Sequence, residues 1–232
     1  MRQVYPNVIT ALNLAAGCVA AVMAVQGLLA WAFWLVIAAA VFDVLDGLVA
    51  RAVRGQSEFG AQLDSLADMV SFGFVPGAVW YQLMFRSLGG DIWIPFFGFL
   101  VTIFSAIRLA EFNVSSNQHS DFMGLPTPAN ALLVVSLPMI QISGGWGHQW
   151  LSDPYFLAVL VVLTSFLLVA PLRLMGFKLH AGASSAEVGL KGGFLLIGLI
   201  LIAVFRFSSA PILLFLYLVT SAVYARVTAQ TS

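Results

Sequence analysis

DVLDGLVARAVRGQSEFGAQLDSLADMVSFG, residues 43 to 73, sets Asp43, Asp46, Asp64 and Asp68 in a chain that is 61% hydrophobic and only 9% charged. Soluble domains carry about a quarter of their residues as charges. This composition, with mean hydropathy +0.98, reads instead as a polytopic membrane protein. A carboxylate in or near hydrocarbon is costly enough to stand as a functional-site hypothesis, usually for a cation or a proton path. These aspartates are four of the ten acidic residues in the chain, and the remaining sequence reads as a scaffold for them.

Working outward, the predicted class is all-α, with about eight transmembrane helices in 232 residues, since each span needs about 20 apolar residues. A β-barrel is excluded because the apolar runs are continuous rather than alternating. The runs predict spans over about 8–27, 31–51, 57–88, 92–112, 129–143, 155–172, 192–204 and 209–224. Pro6 and Asn7 are read as the start and cap of the first helix. Ser57 starts the third, with Glu58 in the first turn, where a negative charge suits the helix dipole. Gly89-Gly90-Asp91 breaks the chain, GLPTPAN at 124–130 reads as an ordered return into the membrane, and GGWGHQWLSDP at 144–154 as an interfacial loop. No cleavable signal is expected, and the single Cys18 excludes a disulfide framework. One integral-membrane catalytic domain is expected over 1–232, with a core at 6–172 and a peripheral helix pair at 190–226.

Orientation follows from the basic residues. With the amino terminus cytoplasmic, Arg2, Arg51, Arg54, Arg108, Arg173, Lys178, Lys191 and Arg226 lie inside, and only Arg86 and Arg206 lie opposite. Both termini and the Asp-rich stretch then face the cytoplasm, and a cell inner membrane is the expected location.

Asp43, Asp46, Gly47 and Ala50 fall on one helical face, and Gly60, Asp64 and Asp68 on another. A short turn between antiparallel helices brings the two faces together. Carboxylates so close require compensation, which a divalent cation or two supplies. Oxygen-only donors favour Mg²⁺, Mn²⁺ or Ca²⁺ over zinc. Gly47, Ala50 and Gly60 leave a groove beside the cations, and Arg51 and Ser57 stand at its mouth, where a guanidinium suits phosphate. This combination describes a nucleotide pyrophosphate site without naming its substrate; a cation-coupled transporter remains the bland alternative.

The spacing D-x-x-D-G-x-x-A-R, then G-x-x-x-D-x-x-x-D, filled by Asp43, Asp46, Gly47, Ala50, Arg51, Gly60, Asp64 and Asp68, resembles the CDP-alcohol phosphotransferase family. QSEFGAQLDSLADMVSFG, RLAEFN at 108–113 and GLPTPANA at 124–131 resemble its phosphatidylserine synthase branch. Glu111 departs from that branch, which more often has a basic residue there. The resemblance covers about residues 6–131 and implies a CDP-alcohol phosphotransferase-like bundle.

It further implies that Asp43, Asp46 and Asp64 hold one metal, Mg²⁺ or Mn²⁺, with Asp68 completing a second site; Ca²⁺ would be a non-productive occupant. Asn7, Gly47, Ala50, Arg51, Ser57 and Gly60 would line the CDP groove. Asp68 would serve as general base while the hydroxyl of L-serine attacks the β-phosphorus of CDP-diacylglycerol, expelling CMP. Ser71, Arg108 and Asn113 would face the acceptor. The implied partners are CDP-diacylglycerol, L-serine, the bilayer and a second copy in a homodimer, with no nucleic acid. Glycerol 3-phosphate, inositol phosphate or choline are the alternative acceptors.

Overall fold

The computed structural model describes residues 4–53, 57–114, 122–145, 147–174 and 185–229. The chain forms helices α1 (Val4–Val25), α2 (Leu29–Ala52), α3 (Glu58–Asp68), α4 (Val75–Ser87), α5 (Leu100–Val114), α6 (Thr127–Ser143), α7 (Pro154–Val169), α8 (Ser185–Phe205) and α9 (Ser209–Ala229). A π-helical turn, Met69–Phe74, joins α3 to α4 without a break, and a 3-10 turn, Ile94–Phe99, leads into α5. Counted as rods, the described residues form eight, the number the apolar runs predict. Among the described residues Val4–Val25, Leu29–Ala52 and Ile94–Val114 are long and apolar enough to cross a membrane, as is the apolar stretch Gly192–Ser221, which the α8–α9 turn divides, and α6 and α7 are shorter apolar helices. The protein is a polytopic helical membrane protein.

The α3–α4 rod stands at the centre. Phe72, Val75, Val79, Trp80, Leu83 and Met84 from this rod are among the largest fully buried side chains, and α1, α2, α5, α6 and α7 surround them. Large apolar side chains elsewhere, such as Trp31, Trp34, Val159 and Phe166, point outward, as lipid-facing surfaces require. Helices meet closely in a membrane where small residues let backbones approach. Gly17 of α1 is such a point, since a Cβ there would overlap the Ser71 hydroxyl on the π turn.

The start of α1 differs from the sequence expectation, whereas the α8–α9 hairpin agrees with it. Asn7 is not a cap: α1 is already helical at Val4, and Asn7 lies one turn inside it. The α8–α9 connection is a single 3-10 turn, Arg206–Ser208, yet it reverses the chain. Phe194 meets Tyr217 at 5.9 Å between ring centroids, and Leu213 lies within contact of Gly198, so the two helices run antiparallel. The exposed side chains Leu195, Leu196, Leu199 and Ile200 leave α8 at the edge of the bundle. By contrast α9 is anchored, with Tyr217 in a second apolar cluster formed with Leu125, Leu167 and Leu174.

The GLPTPAN segment is ordered, as expected, by a short strap. β1 (Phe122–Met123) pairs antiparallel with β2 (Arg173–Leu174), and the N–H groups of Gly124 and Leu125 donate to Leu172 and Leu167 carbonyls at 3.0 and 2.8 Å. Gly124 has φ +74°, and a Cβ on it would collide with the Leu168 carbonyl, so only glycine suits this position. Pro126 and Pro128 then bracket the start of α6, where a missing N–H costs nothing.

The ends of the bundle are distinguishable. Arg86 donates to the Gly27 carbonyl at 2.6 Å on the α1–α2 turn, far from the aspartates at the opposite end of α2. Of the residues used for orientation, Arg2, Arg54 and Lys178 lie outside the described residues, as does the carboxyl terminus.

Candidate functional site

Three rods build the site. α2 carries Asp43 and Asp46 in its last three turns, α3 carries Asp64 and Asp68 after its Ser57 cap, and α1 packs across both. Ser57 accepts from the Gly60 N–H at 3.0 Å, which stabilises a helix start by about 1 kcal/mol and holds the first turn of α3 beside α1. One oxygen from each of Asp43, Asp64 and Asp68 lies within 4.8 Å of the others. The two predicted faces therefore meet. Asp46 lies to one side, 6% exposed, and accepts a hydrogen bond from Thr10 Oγ1 at 2.7 Å. Asn13 Nδ2 donates to Asp68 Oδ1 at 3.2 Å.

Thr10 and Asn13 were not singled out from sequence, although a signal existed. Asn7, Thr10, Asn13 and Gly17 recur every three or four residues along α1, a polar and small stripe on an otherwise largely apolar helix. That stripe is the face α1 turns to the aspartates.

A groove of about 510 Å³ runs from the aspartates between α1, α2 and α3, lined by Asn7, Thr10, Asp46, Gly47, Ala50, Ser57, Gly60 and Asp64, among others. Five of the six residues expected to hold CDP are in this wall. The exception is Arg51, which is exposed in the last turn of α2 and outside the lining. Nothing lies within 4 Å of a Cβ built on Gly47, so a side chain there would occupy the groove itself; at Gly60 it would press on Ser57 Oγ and Asn7 Oδ1 at 3.1 and 3.2 Å. The small residues are what keep the groove open.

The donor set fits a hard divalent cation. The candidate donors are all oxygens, and Asp64 Oδ1 and Asn13 Oδ1 are buried acceptors with no hydrogen-bond partner. A cation satisfies such atoms where no N–H is in reach.

The three residues expected at the acceptor are not brought together. Ser71 is fully buried and donates to the Asn13 carbonyl at 3.1 Å, so its hydroxyl ties the π turn to α1 instead of bonding its own helix. Asn113 is exposed and accepts from Ser65 Oγ at 3.0 Å, linking α5 to α3. Arg108 is half-buried between α5 and α6, donating through one terminal nitrogen to Thr127 Oγ1 at 3.1 Å. Tyr217 of α9 lies within electrostatic reach of it, as does Glu111. No periodicity in the sequence could have joined α9 to Arg108, because Tyr217 lies in a run that reads only as an apolar span.

The sequence model of a family described as CDP-alcohol phosphatidyltransferase matches residues 3–170. Several curated proteins are similar to the chain. A Mycobacterium bovis CDP-diacylglycerol–serine O-phosphatidyltransferase is 34% identical over 186 residues, which cover 77% of this chain and 63% of that protein. A Helicobacter pylori protein of the same name is 34% identical over 184 residues, covering 75% and 73%. A Bacillus subtilis protein, again of that name, is 30% identical over 151 residues, covering 63% and 75%. The aligned part of the chain thus spans less than two thirds of the mycobacterial relative.

Proposed function

The chain belongs to the CDP-alcohol phosphatidyltransferase family, and from that premise we propose that it transfers the phosphatidyl group of CDP-diacylglycerol to the hydroxyl of L-serine, giving phosphatidylserine and CMP. The observation that carries the reading is the groove kept open by Gly47 and Gly60, whose wall includes Asp46 and Asp64, the latter clustered with Asp43 and Asp68. The names of the mycobacterial, Helicobacter and Bacillus relatives support serine as the acceptor.

In this reading Asp43, Asp64 and Asp68 hold the divalent cation, Mg²⁺ or Mn²⁺, and Asp46, braced by Thr10, adds an oxygen from the groove wall. When bound, the cation neutralises the pyrophosphate and the charge that develops on departing CMP. The walls of Asn7, Ala50, Ser57 and Gly60 seat the cytidine diphosphate, with Arg51 closing over its phosphates from outside the lining. The Asn13 bond holds one oxygen of Asp68 and leaves the other to take the proton of the serine hydroxyl. The serine oxygen, its proton passed to Asp68, attacks the β-phosphorus as the bond to CMP breaks. Positioning and charge neutralisation supply most of the rate in such transfers, and a base within hydrogen-bond reach adds to them.

The proposal extends to a single catalytic domain with an edge pair at α8 and α9, a homodimer, and a site facing the cytoplasm from an inner membrane. Eight of the ten basic residues on one side support the orientation. The test is CMP release from CDP-diacylglycerol in the presence of Mg²⁺ or Mn²⁺, with serine, glycerol 3-phosphate, inositol phosphate and choline as separate acceptors. Release with serine alone is expected. Release with a different alcohol refutes the acceptor, and none with any of them refutes the transferase.

A further inference from the structure

Four polar atoms on α5 and α6 are sealed from solvent without a partner: Ser105 Oγ, Arg108 Nε, and both Nδ2 and Oδ1 of Asn130. Buried polar atoms are nearly always paired, and each one left unpaired costs about 1–3 kcal/mol. Their placement is not scattered. Ser105 and Arg108 stand one turn apart on α5, and Thr127 and Asn130 one turn apart on α6. The Arg108–Thr127 bond closes the two faces on each other. Ser105 also touches the π turn that follows Asp68, its Cβ 3.2 Å from where a Cβ on Gly73 would be. Asn130 and Ser105 are fully buried, so the cluster is built into the bundle and is not a surface feature.

The chemistry of the unpaired atoms is mixed. Arg108 Nε and Asn130 Nδ2 are donors suited to a carboxylate, and Asn130 Oδ1 is an acceptor suited to an ammonium group. One small molecule that carries both groups is a zwitterionic amino acid. Resting on the serine-transfer reading above, we propose that Asn130, one turn from the Thr127 that bonds Arg108, determines acceptor specificity, its Oδ1 accepting from the acceptor's α-ammonium while its Nδ2 donates to the α-carboxylate. Thr127 fixes the guanidinium so that Nε faces the same side. Held at both groups, serine directs its hydroxyl toward Asp68. Ethanolamine, which has the hydroxyl and ammonium but no carboxylate, keeps only the Oδ1 contact.

The experiment uses the full chain in detergent–lipid micelles with CDP-diacylglycerol and a divalent cation, following CMP release for wild type, Asn130→Leu and Asn130→Asp. Asn130→Leu, close in size, is expected to raise the serine KM tenfold or more, about 1.4 kcal/mol, with the CDP-diacylglycerol KM within twofold. Its melting temperature should be equal or higher, since an unsatisfied amide is removed. Asn130→Asp keeps the ammonium contact and sets a negative charge against the carboxylate, so the ratio of kcat/KM for ethanolamine over serine should rise at least tenfold. A serine KM within twofold of wild type in both variants overturns the proposal, and so does a parallel loss of CDP-diacylglycerol affinity. Failure of both variants to fold overturns it as well, by making Asn130 a structural residue. A wild type that releases CMP with another alcohol but not with serine instead overturns the parent reading, and this assignment with it.

Discussion

Replacing Asp64 by Asn should make the protein more stable without metal and nearly indifferent to metal. The oxygens of Asp43, Asp64 and Asp68 lie within 4.8 Å of one another. Two unit charges at that distance repel by about 3.5 kcal/mol at an effective dielectric near 20. Were all three fully ionised, three such pairs would approach about 10 kcal/mol, comparable with the whole net stability of a domain. Asp64→Asn removes two of the three pairs, about 7 kcal/mol on the same basis. The side chains are only half-buried, so solvent screening cuts this to about a third. The remaining ~2 kcal/mol corresponds to roughly 4–8 °C in Tm for a chain of this size.

Differential scanning fluorimetry in detergent reads the effect directly. In chelator, Asp64→Asn should melt above wild type by that interval. About 10 mM Mg²⁺ or Mn²⁺ should raise wild type by a similar amount and the variant by much less. A wild-type Tm that moves by less than about 1 °C between chelator and either cation would refute the metal-site reasoning, as would a variant that responds as wild type does.

Three further outcomes follow from individual contacts. Asp68→Asn should abolish CMP release; near-normal turnover removes Asp68 from the base role. Arg108→Lys should raise the serine KM about tenfold and leave the CDP-diacylglycerol KM unchanged, since a lysine has no Nε–H fork to share between Thr127 and a carboxylate; an equal loss for both substrates contradicts this. Ser71→Ala should cost about 1 kcal/mol of stability through the lost bond to the Asn13 carbonyl and leave the serine KM unaltered. A selective rise in that KM would return Ser71 to the acceptor side.

Much of the site is legible before folding because it is local. Asp43, Asp46 and Gly47 share a face by helical spacing alone, as do Gly60, Asp64 and Asp68, and the short link between α2 and α3 leaves the two faces little choice but to meet. Ser57 announces its own helix start. What escapes the sequence is whatever depends on rotation or on distant pairing. Ser71, on the π turn Met69–Phe74, stays on the side that Asp68 turns to α1, where both meet Asn13, but its hydroxyl is taken up by the Asn13 carbonyl, a partner that spacing alone does not show. A wider turn of this kind has no periodicity to betray it and often lies beside a functional site. Arg51 has the right motif position, yet its place in the last turn of α2 leaves it outside the groove lining.

By itself the sequence determined that the chain lives in a membrane, that it is built of about eight helical rods, and that four aspartates converge at one end. Composition decides the first, span length the second and the 3.6-residue period the third, and none needs a long-range contact. Only the tertiary structure decided which neighbours hold those aspartates and which meet Arg108. Thr10 and Asn13 reach Asp46 and Asp68 from α1, and Arg108 meets Thr127 of α6 and Tyr217 of α9. These pairings link residues far apart in the chain, brought together by helix packing around the α3–α4 rod. The energy that selects such packing is summed over many apolar contacts, and no single stretch of sequence displays it.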